Sequence, residues 1–475
     1  IVCNIGHFDS EIQMSAGNMI EARRTVTESL TLAENIGNVA AAARQLGNLG
    51  VLAIRQGDLA EARSCLMRSA EAFDRIPDPL GQAQAWAALG EISVRAGHPE
   101  DAIEYYEGAY QIFLQQDAPE QAAVPRAALG QLLRRSGKSF EALRVHREVC
   151  ALIGSGGEHA AGAHLDLAGI HTDLGDWVSA EREIDLAERA LQTPHQRAQL
   201  LYARSDWVMA TGALRKARDV VDEATSLFDD LMDRRGQLAA KLASIRLGWR
   251  LGEVAPLPHQ LTGTETPPDI RLAVDAVISE RFFAMGRLQE ARELISPLAK
   301  ELESSFDGVR QLKAESFVEI LDWMQGKIQS RNMNETILRI SLDLSSRGNI
   351  REAVGVTLNP VPLLIFRSEW TQAESLLGTV KALESSQWPE GWSQALERYF
   401  NLLRLFREGA LDQEPDLESS EDVDARILDA LFQAIAHKKS DHIESILVKL
   451  ETLQRSLWAG MIRKFFQANP KVLGA

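Results

Sequence analysis

Two groups of side chains in the sequence have the residue types that catalytic or binding sites use, and the first contains a lysine between serines. Residues 136–139 read Ser-Gly-Lys-Ser, which are the last residues of a phosphate-binding loop motif. That motif also needs a glycine five residues before Gly137, where the sequence has Leu132, and a strand ahead of it, where the pattern is helical. We therefore predict that Gly137 is a turn residue and that no nucleotide binds there.

Histidines form the second group, because His159, His164 and His171 lie near Glu158 and Asp173. A zinc site on a helix needs two histidines four residues apart, so that both rings share one face. Here the spacings are five and seven residues, which indicates packing positions rather than metal ligands. The sequence predicts no metal ligands, no catalytic residues and no cofactor.

Composition and charge limit the class of protein. The chain has 475 residues, of which 45% are hydrophobic and 25% charged, and a single core rarely grows past about 250–300 residues. Its 51 basic and 67 acidic residues give a formal charge of −16, which argues against a nucleic-acid partner. No apolar run is long enough to span a membrane. Cys3, Cys65 and Cys150 lie far apart, which favours a cytoplasmic location with buried thiols. Because the chain begins with Ile1, we expect a fragment of a larger protein.

The strongest signal is an internal repeat marked by glycine. The glycines recur at steps of 40 residues and then at slightly different steps, at Gly17, Gly57, Gly97, Gly137, Gly175, Gly212 and Gly286. An alanine follows five residues after each one, at Ala22, Ala62, Ala102, Ala142, Ala180, Ala217 and Ala291. Apolar residues with helical spacing lie on both sides of each glycine. The pattern predicts helical hairpins with a glycine turn, in which the alanine and an earlier glycine (Gly50, Gly90 or Gly130) allow the helices to approach closely.

One unit carries a family signature at Trp86, Leu89, Gly90, Gly97, Ala102, Tyr106 and Ala109. It resembles the tetratricopeptide repeat family, in the long form of about 40 residues found in bacterial signalling proteins. The resemblance implies an all-α fold: a right-handed superhelical solenoid of ten or eleven antiparallel helix hairpins. Such hairpins must stack, because each leaves an apolar face uncovered.

The array is expected to have five parts. Residues 1–252 form regular repeats, 253–269 an irregular loop, and 270–411 degenerate repeats with turns near Gly326, Ser368 and Gly409. Residues 412–424 contain seven acidic side chains and no basic ones, and are predicted to be a solvated linker. Residues 425–475 are predicted to be capping helices.

The resemblance also implies which residues face a ligand, namely fixed positions on the first helix of each hairpin. In three repeats these positions contain a recurring arginine together with other polar residues: Arg44, Arg55, Glu91, Arg95, Gln131, Arg134 and Arg135. Arginine suits carboxylates, so this series could bind an acidic peptide. Alternatively, the arginines only favour the dipole at helix C-termini. The family's two-carboxylate clamp uses lysine and asparagine at positions that here contain Ala87 and Glu91, which argues against that subclass.

We therefore predict a non-catalytic protein–protein interaction scaffold or sensor module of a bacterial signalling protein, with a protein or peptide partner on its concave face. Two alternatives remain open. One is a regulatory receptor that binds a signalling peptide and changes curvature. The other is an enzyme whose site lies unrecognised in residues 253–424.

Overall fold

The described residues form α-helices, with one additional 3₁₀ turn at Pro258–Leu261 and no strand. The structure is a computed structural model that describes residues 16–154, 159–261, 263, 266, 268–304, 307–408 and 420–469. The predicted all-α helical repeat fold is confirmed.

The first helices are regular in length. They are α1 (Ala16–Asn35), α2 (Val39–Gln56), α3 (Leu59–Arg75), α4 (Pro79–Arg95), α5 (Pro99–Gln115), α6 (Pro119–Arg135), α7 (Ser139–Ile153), α8 (Ala160–Asp173), α9 (Trp177–Arg189), α10 (Pro194–Ala210), α11 (Leu214–Asp230) and α12 (Arg234–Leu251). The remaining helices are α13 (Pro268–Ala284), α14 (Leu288–Ser304), α15 (Gly308–Met324), α16 (Ser330–Ser346), α17 (Ile350–Leu358), α18 (Val361–Phe366), α19 (Trp370–Leu383), α20 (Glu390–Glu408), α21 (Val423–Ala436), α22 (Ser440–Thr452) and α23 (Ser456–Ala468).

Each regular hairpin turns at the predicted glycine. Gly57 ends α2 with φ +80°, a left-handed conformation that costs glycine little. The next residue, Asp58, caps α3 by accepting a hydrogen bond from the Glu61 amide at 2.9 Å. Turns also lie at Gly326 and Ser368, with φ +75° and +60°. Gly17 instead lies in the first turn of α1, and Gly409 lies outside the described residues.

Glycine and alanine set the distance between the two helices of a hairpin. A Cβ atom on Gly90 would lie 2.6 Å from the ring of Tyr106, so the tyrosine packs directly on the backbone of α4. The equivalent distances are 2.5 Å from Gly50 to Leu66 and 2.4 Å from Gly130 to His146. The alanines that follow the turn, such as Ala62 and Ala102, have no exposed surface. The close approach predicted from the repeat is therefore present.

The later repeats are less regular. After Gly252, α12 has no second helix beside it in the chain, because the described residues from 253 to 266 contain only the 3₁₀ turn. Another first helix is broken into α17 and α18 at Asn359 and Pro360, since proline cannot donate the next backbone hydrogen bond.

The helices pack as two compact units. Unit 1 comprises Ile1–Ser136 and Glu141–Ala163, and unit 2 comprises Gly137–Phe140 and His164–Ala475. Within unit 1, each hairpin packs on the next along the chain. The described apolar residues of unit 2 include a large cluster built from α15 to α23.

Unit 2 also has contacts between residues far apart in sequence, which we call the seam. Residues between Gly137 and Leu457 are joined across separations of 172 to 212 residues. At one end, the Ser139 hydroxyl donates to Asn349 at 3.0 Å. Further along, the rings of Trp177 and Trp392 meet edge to face at 5.4 Å. Helices 137–286 and 347–457 therefore lie against each other, so the path of unit 2 closes on itself.

The seam compensates for the helix that is missing after α12. The last carbonyls of a helix have no partners within it. Here Arg455 donates to the Trp249 carbonyl at 3.2 Å and Arg426 to the Leu251 carbonyl at 3.3 Å. A Cβ on Gly252 would contact Val423 at 3.3 Å, so α21 lies where a second helix would otherwise pack.

The described end of the acidic segment lies in this seam and is not solvated as the sequence suggested. Glu421 accepts a hydrogen bond from the Arg215 amide at 2.7 Å, and Asp422 pairs with Arg250 at 2.8 Å. Asp424 pairs with the buried Arg455. These carboxylates bind arginine and backbone donors brought from distant repeats, which charge counting along the sequence does not reveal. Residues 409–419 of the segment lie outside the described part.

The close approach at Gly90 generates a first prediction. Gly90→Ala adds a methyl group into the Tyr106 ring and should destabilise unit 1 by about 1–3 kcal/mol. Gly162→Ala is the matched control in the same unit, because its Cβ meets no atom within 4 Å. It should be neutral or stabilising by up to about 1 kcal/mol. Urea unfolding followed by circular dichroism measures both, and equal stability of the two variants would contradict the packing argument.

The seam generates a second prediction. Arg455→Met leaves the Trp249 carbonyl and Asp424 without their guanidinium, and should cost about 2–4 kcal/mol. Arg463→Met, also on α23, removes only an exposed pair with Glu451 and should cost less than about 1 kcal/mol. Tryptophan fluorescence during urea unfolding reports unit 2, which contains every tryptophan except Trp86. A loss no larger than that of the control would show that the seam contributes little.

Candidate protein-interaction surface

The seven residues predicted to face a ligand all lie in unit 1, on three helices of equivalent position. We call this set the ladder face: Arg44 and Arg55 on α2, Glu91 and Arg95 on α4, and Gln131, Arg134 and Arg135 on α6. Helix α4 contacts both α2 and α6. The structure therefore places these residues on neighbouring helices, at positions related by the repeat.

Most of the ladder face is open to solvent. Arg55, Arg95 and Arg135 are exposed, as are Glu91 and Gln131, while Arg44 and Arg134 are half-buried. With five arginines and one glutamate, the face has a net charge of +4 in a chain of −16. The local charge is thus opposite in sign to that of the whole molecule, which favours an acidic ligand.

The recurring arginines also lie where a helix C-terminus favours positive charge. Arg55 and Arg95 lie in the last turns of α2 and α4, and both Arg134 and Arg135 lie in the last turn of α6. The dipole of each helix stabilises these cations whether or not a ligand binds. Both interpretations of the arginines therefore remain physically consistent.

One step of the ladder face is already neutralised. Arg95 donates to Glu91 at 2.7 Å, an ion pair one helical turn apart that the sequence reasoning did not identify. Both charges lie near Tyr106: burial raises the pKa of its hydroxyl above the usual range, Glu91 raises it further and Arg95 opposes. An acidic ligand must therefore compete with Glu91 for Arg95.

A buried arginine behind this face joins successive hairpins and was missed by the sequence reasoning. Arg126 on α6 is only 6% exposed. It donates to Glu148 of α7 and to Glu107 of α5, each at 2.8 Å, and lies 4.6 Å above the ring of Tyr110. Burial disfavours its charge, but the two carboxylates hold its pKa above the usual value. A buried guanidinium with two carboxylates fixes the position of α6, because removing any member would leave an unpaired charge.

The candidate metal and thiol residues lie in separate environments. His164 contacts Glu183 at 2.7 Å, whereas the buried His171 lies 3.2 Å from Asp176. Within the part of the chain that the structure describes, no three histidine, cysteine or acidic side chains are grouped as metal ligands. Cys65 is buried, and burial is the main cause of its raised pKa, which disfavours the reactive thiolate. Glu158 lies outside the described residues.

Two carboxyls in region 253–424 have pKa values raised by burial, which an enzyme site there could use. They are Asp275 on α13 and Glu319 on α15. The charges that act on Asp275 are those of Arg271, Glu301 and His259, whereas Asp322, Glu315 and Arg339 act on Glu319. The two carboxyls share no charged neighbour, so they do not form an acid–base pair.

None of the helices in the described ranges has a stretch long and apolar enough to cross a bilayer.

Comparisons with known proteins identify the repeat and its general role. Residues 38–115 match the family model described as tetratricopeptide repeat, whereas no curated protein matches the chain. The chain is similar to BtubC from P. vanneervenii, with 19% identity over 46% of this chain and 93% of that one and a TM-score of 0.41. Cut9 in the APC/C hetero-tetramer Cut9–Hcn1 has 12% identity over 96% of both chains and a TM-score of 0.40. A Rap protein complexed with Competence and Sporulation Factor has 11% identity over 83% of this chain and 99% of that one, with a TM-score of 0.34.

The matched residues cover α2 to α5, which contain the glycine turns, the buried alanines and part of the ladder face. The chain belongs to the tetratricopeptide repeat family, whose helical arrays are protein–protein interaction scaffolds.

Proposed function

We propose that unit 1 binds an acidic segment of a partner protein on its ladder face. The observation that carries this proposal is the recurrence of Arg55, Arg95 and Arg135 at one position of three stacked first helices, each exposed. Their guanidinium groups can each donate two parallel hydrogen bonds to a carboxylate. An extended acidic segment would place successive carboxylates along the stack.

The stack makes such binding favourable because little has to be ordered. The helices are held apart at fixed distances by Tyr106 on Gly90 and by Arg126 between Glu107 and Glu148. A preformed wall loses little conformational entropy when a ligand docks, so more of the contact energy contributes to affinity. Exposed charge pairs are screened by salt, so binding should weaken as ionic strength rises.

We further propose that this scaffold acts as a sensor module in a cytoplasmic signalling protein of a bacterium. Support comes from the repeat length of about 40 residues in the turns from Gly57 to Gly137, which is similar to that of bacterial signalling arrays. A cytoplasmic setting agrees with cysteines that are far apart in sequence.

The third prediction tests the ladder face with a defined probe. The triple variant Arg55→Gln, Arg95→Gln, Arg135→Gln should bind a fluorescein-labelled decaglutamate about tenfold more weakly than the wild type at low salt, because three charge pairs of about 0.2–1 kcal/mol each are lost. Fluorescence anisotropy of the full chain measures the affinity. The wild type should also bind less tightly at higher salt, and should not bind decalysine.

The matched control changes three exposed arginines elsewhere in unit 1. Arg24 on α1, Arg68 on α3 and Arg144 on α7 are exposed on second helices. Their triple glutamine variant has the same net charge as the test variant and should retain wild-type affinity. Equal weakening of the two variants would mean that only net charge matters, and the ladder face would then not be a site.

A further inference from the structure

A second set of charged side chains converges inside unit 2, at positions equivalent to the ladder face. Asp206 on α10, Arg246 on α12 and Glu280 on α13 each lie six residues before a turn glycine, as Glu91 does in α4. Lys313 on α15 occupies another inner position, and α17 contributes Arg351 and Glu352. We call these six residues the inner cluster.

Ion pairs connect the members of the inner cluster from helix to helix. Arg246 lies 3.6 Å from Glu280, and Lys313 lies 2.8 Å from Glu352. Arg351 lies 3.8 Å from Asp206, and so connects α17 to α10 across the seam. The cluster therefore draws on five helices, with charges that alternate in sign.

Tyr202 places the same groups around one space. Its hydroxyl, on α10, feels the charges of Asp206, Arg246 and Arg310, and burial raises its pKa to about 12. Burial is also the largest influence on Glu352, but Lys313, Arg351 and Arg246 outweigh it and lower the pKa of that carboxyl. Arg246 thus acts on both α10 and α17, which is possible only if these helices face each other across a short distance.

The inner cluster nevertheless contacts water. The side chain of Glu352 is 23% exposed and that of Asp206 is 51% exposed. Side chains that keep exposed surface while burial dominates their titration lie in a recess enclosed by protein. The seam provides this enclosure, because it closes the path of unit 2 around the first helices.

The charges in this recess favour a ligand that is itself neutral overall. Three cations and three anions balance, so a ligand with net charge would bring an uncompensated charge into an enclosed site. The pairs Arg246–Glu280 and Arg351–Asp206 are longer than hydrogen bonds, at 3.6 and 3.8 Å. A carboxylate can bind the guanidinium of such a pair while an ammonium binds its carboxylate, and both contacts are then shorter than the pair they replace.

We propose that the inner cluster of unit 2 binds a small zwitterion, with one carboxylate and one ammonium group. Free amino acids and the termini of short peptides share this chemistry. The carboxylate binds Arg246 and the ammonium binds Glu280, while Tyr202 offers a hydroxyl beside them. The site is distinct from the ladder face of unit 1, and either can be wrong without the other.

The test uses the full chain and four defined probes. These are an equimolar mixture of the twenty amino acids, a random tripeptide library with free termini, the same library acetylated and amidated, and succinate. We expect one of the first two to raise the Tm by at least about 2 °C at saturation, because a ligand that binds only the folded state stabilises it. Which of the two acts tells free amino acid from peptide. Capped peptides and succinate should have no effect.

Variants assign the effect to the inner cluster. Arg246→Gln and Glu280→Gln should each weaken binding of the active probe by at least about tenfold, measured by titration calorimetry. The control Arg331→Gln removes an exposed pair with Glu335 on α16 and should bind as the wild type does. If Arg246→Gln does not fold, Glu280→Gln alone decides, because it keeps the size of the side chain. A shift caused equally by the capped library or by succinate, no shift with any probe, or full affinity in the folded variants would overturn the proposal.

Discussion

The contact between a glycine on one helix and a large side chain on its partner determines how every regular hairpin is built. At Gly50, Gly90 and Gly130 there is no room for even a Cβ atom, so the partner side chain rests on backbone. The partners differ widely, being Leu66, Tyr106 and His146, yet the distance hardly changes. The spacing of the helices is therefore set by the absence of a side chain on one helix, and the other helix tolerates variety.

Fixed hairpin spacing has a consequence for the surfaces that the hairpins present. Residues at one repeat position come to lie side by side on successive first helices, whatever their type. In unit 1 the position two residues before the turn glycine carries Arg55, Arg95 and Arg135. The stack thus converts a periodic sequence into a row of like charges on a scaffold that is held rigid by packing elsewhere.

The regular hairpins could be predicted from the sequence because their signal is local. Gly57 and Ala62 are five residues apart, and the physics that links them acts within one hairpin. The Glu91–Arg95 pair was equally local and could have been found from its spacing of four residues. Arg126 was harder, since its partners Glu107 and Glu148 lie 19 and 22 residues away and charged residues are common at such distances.

The seam could not be predicted, because its partners are 172 to 212 residues apart and share no periodic signal. Asn349 contacts Ser139 only because the path of several intervening helices brings them together. The same path explains why Asp422 and Asp424, in a segment that looks like a solvated linker, instead bind Arg250 and Arg455. Sequence patterns specify each hairpin, whereas small rotations accumulated over many hairpins decide which distant turns meet.

Closure of the path gives the same repeat position different chemistry in the two units. Six residues before the turn, Glu91 in unit 1 pairs within its own helix, so its charge is satisfied without help from neighbours. In unit 2 the equivalent Arg246 and Glu280 pair between helices, and Arg351 reaches Asp206 across the seam. An enclosed surface must balance its charges, because water is too scarce to screen them, while an open surface can carry an excess of one sign. The balance of three cations and three anions in the inner cluster, and the excess of arginine on the ladder face, are the charge distributions that these two environments require.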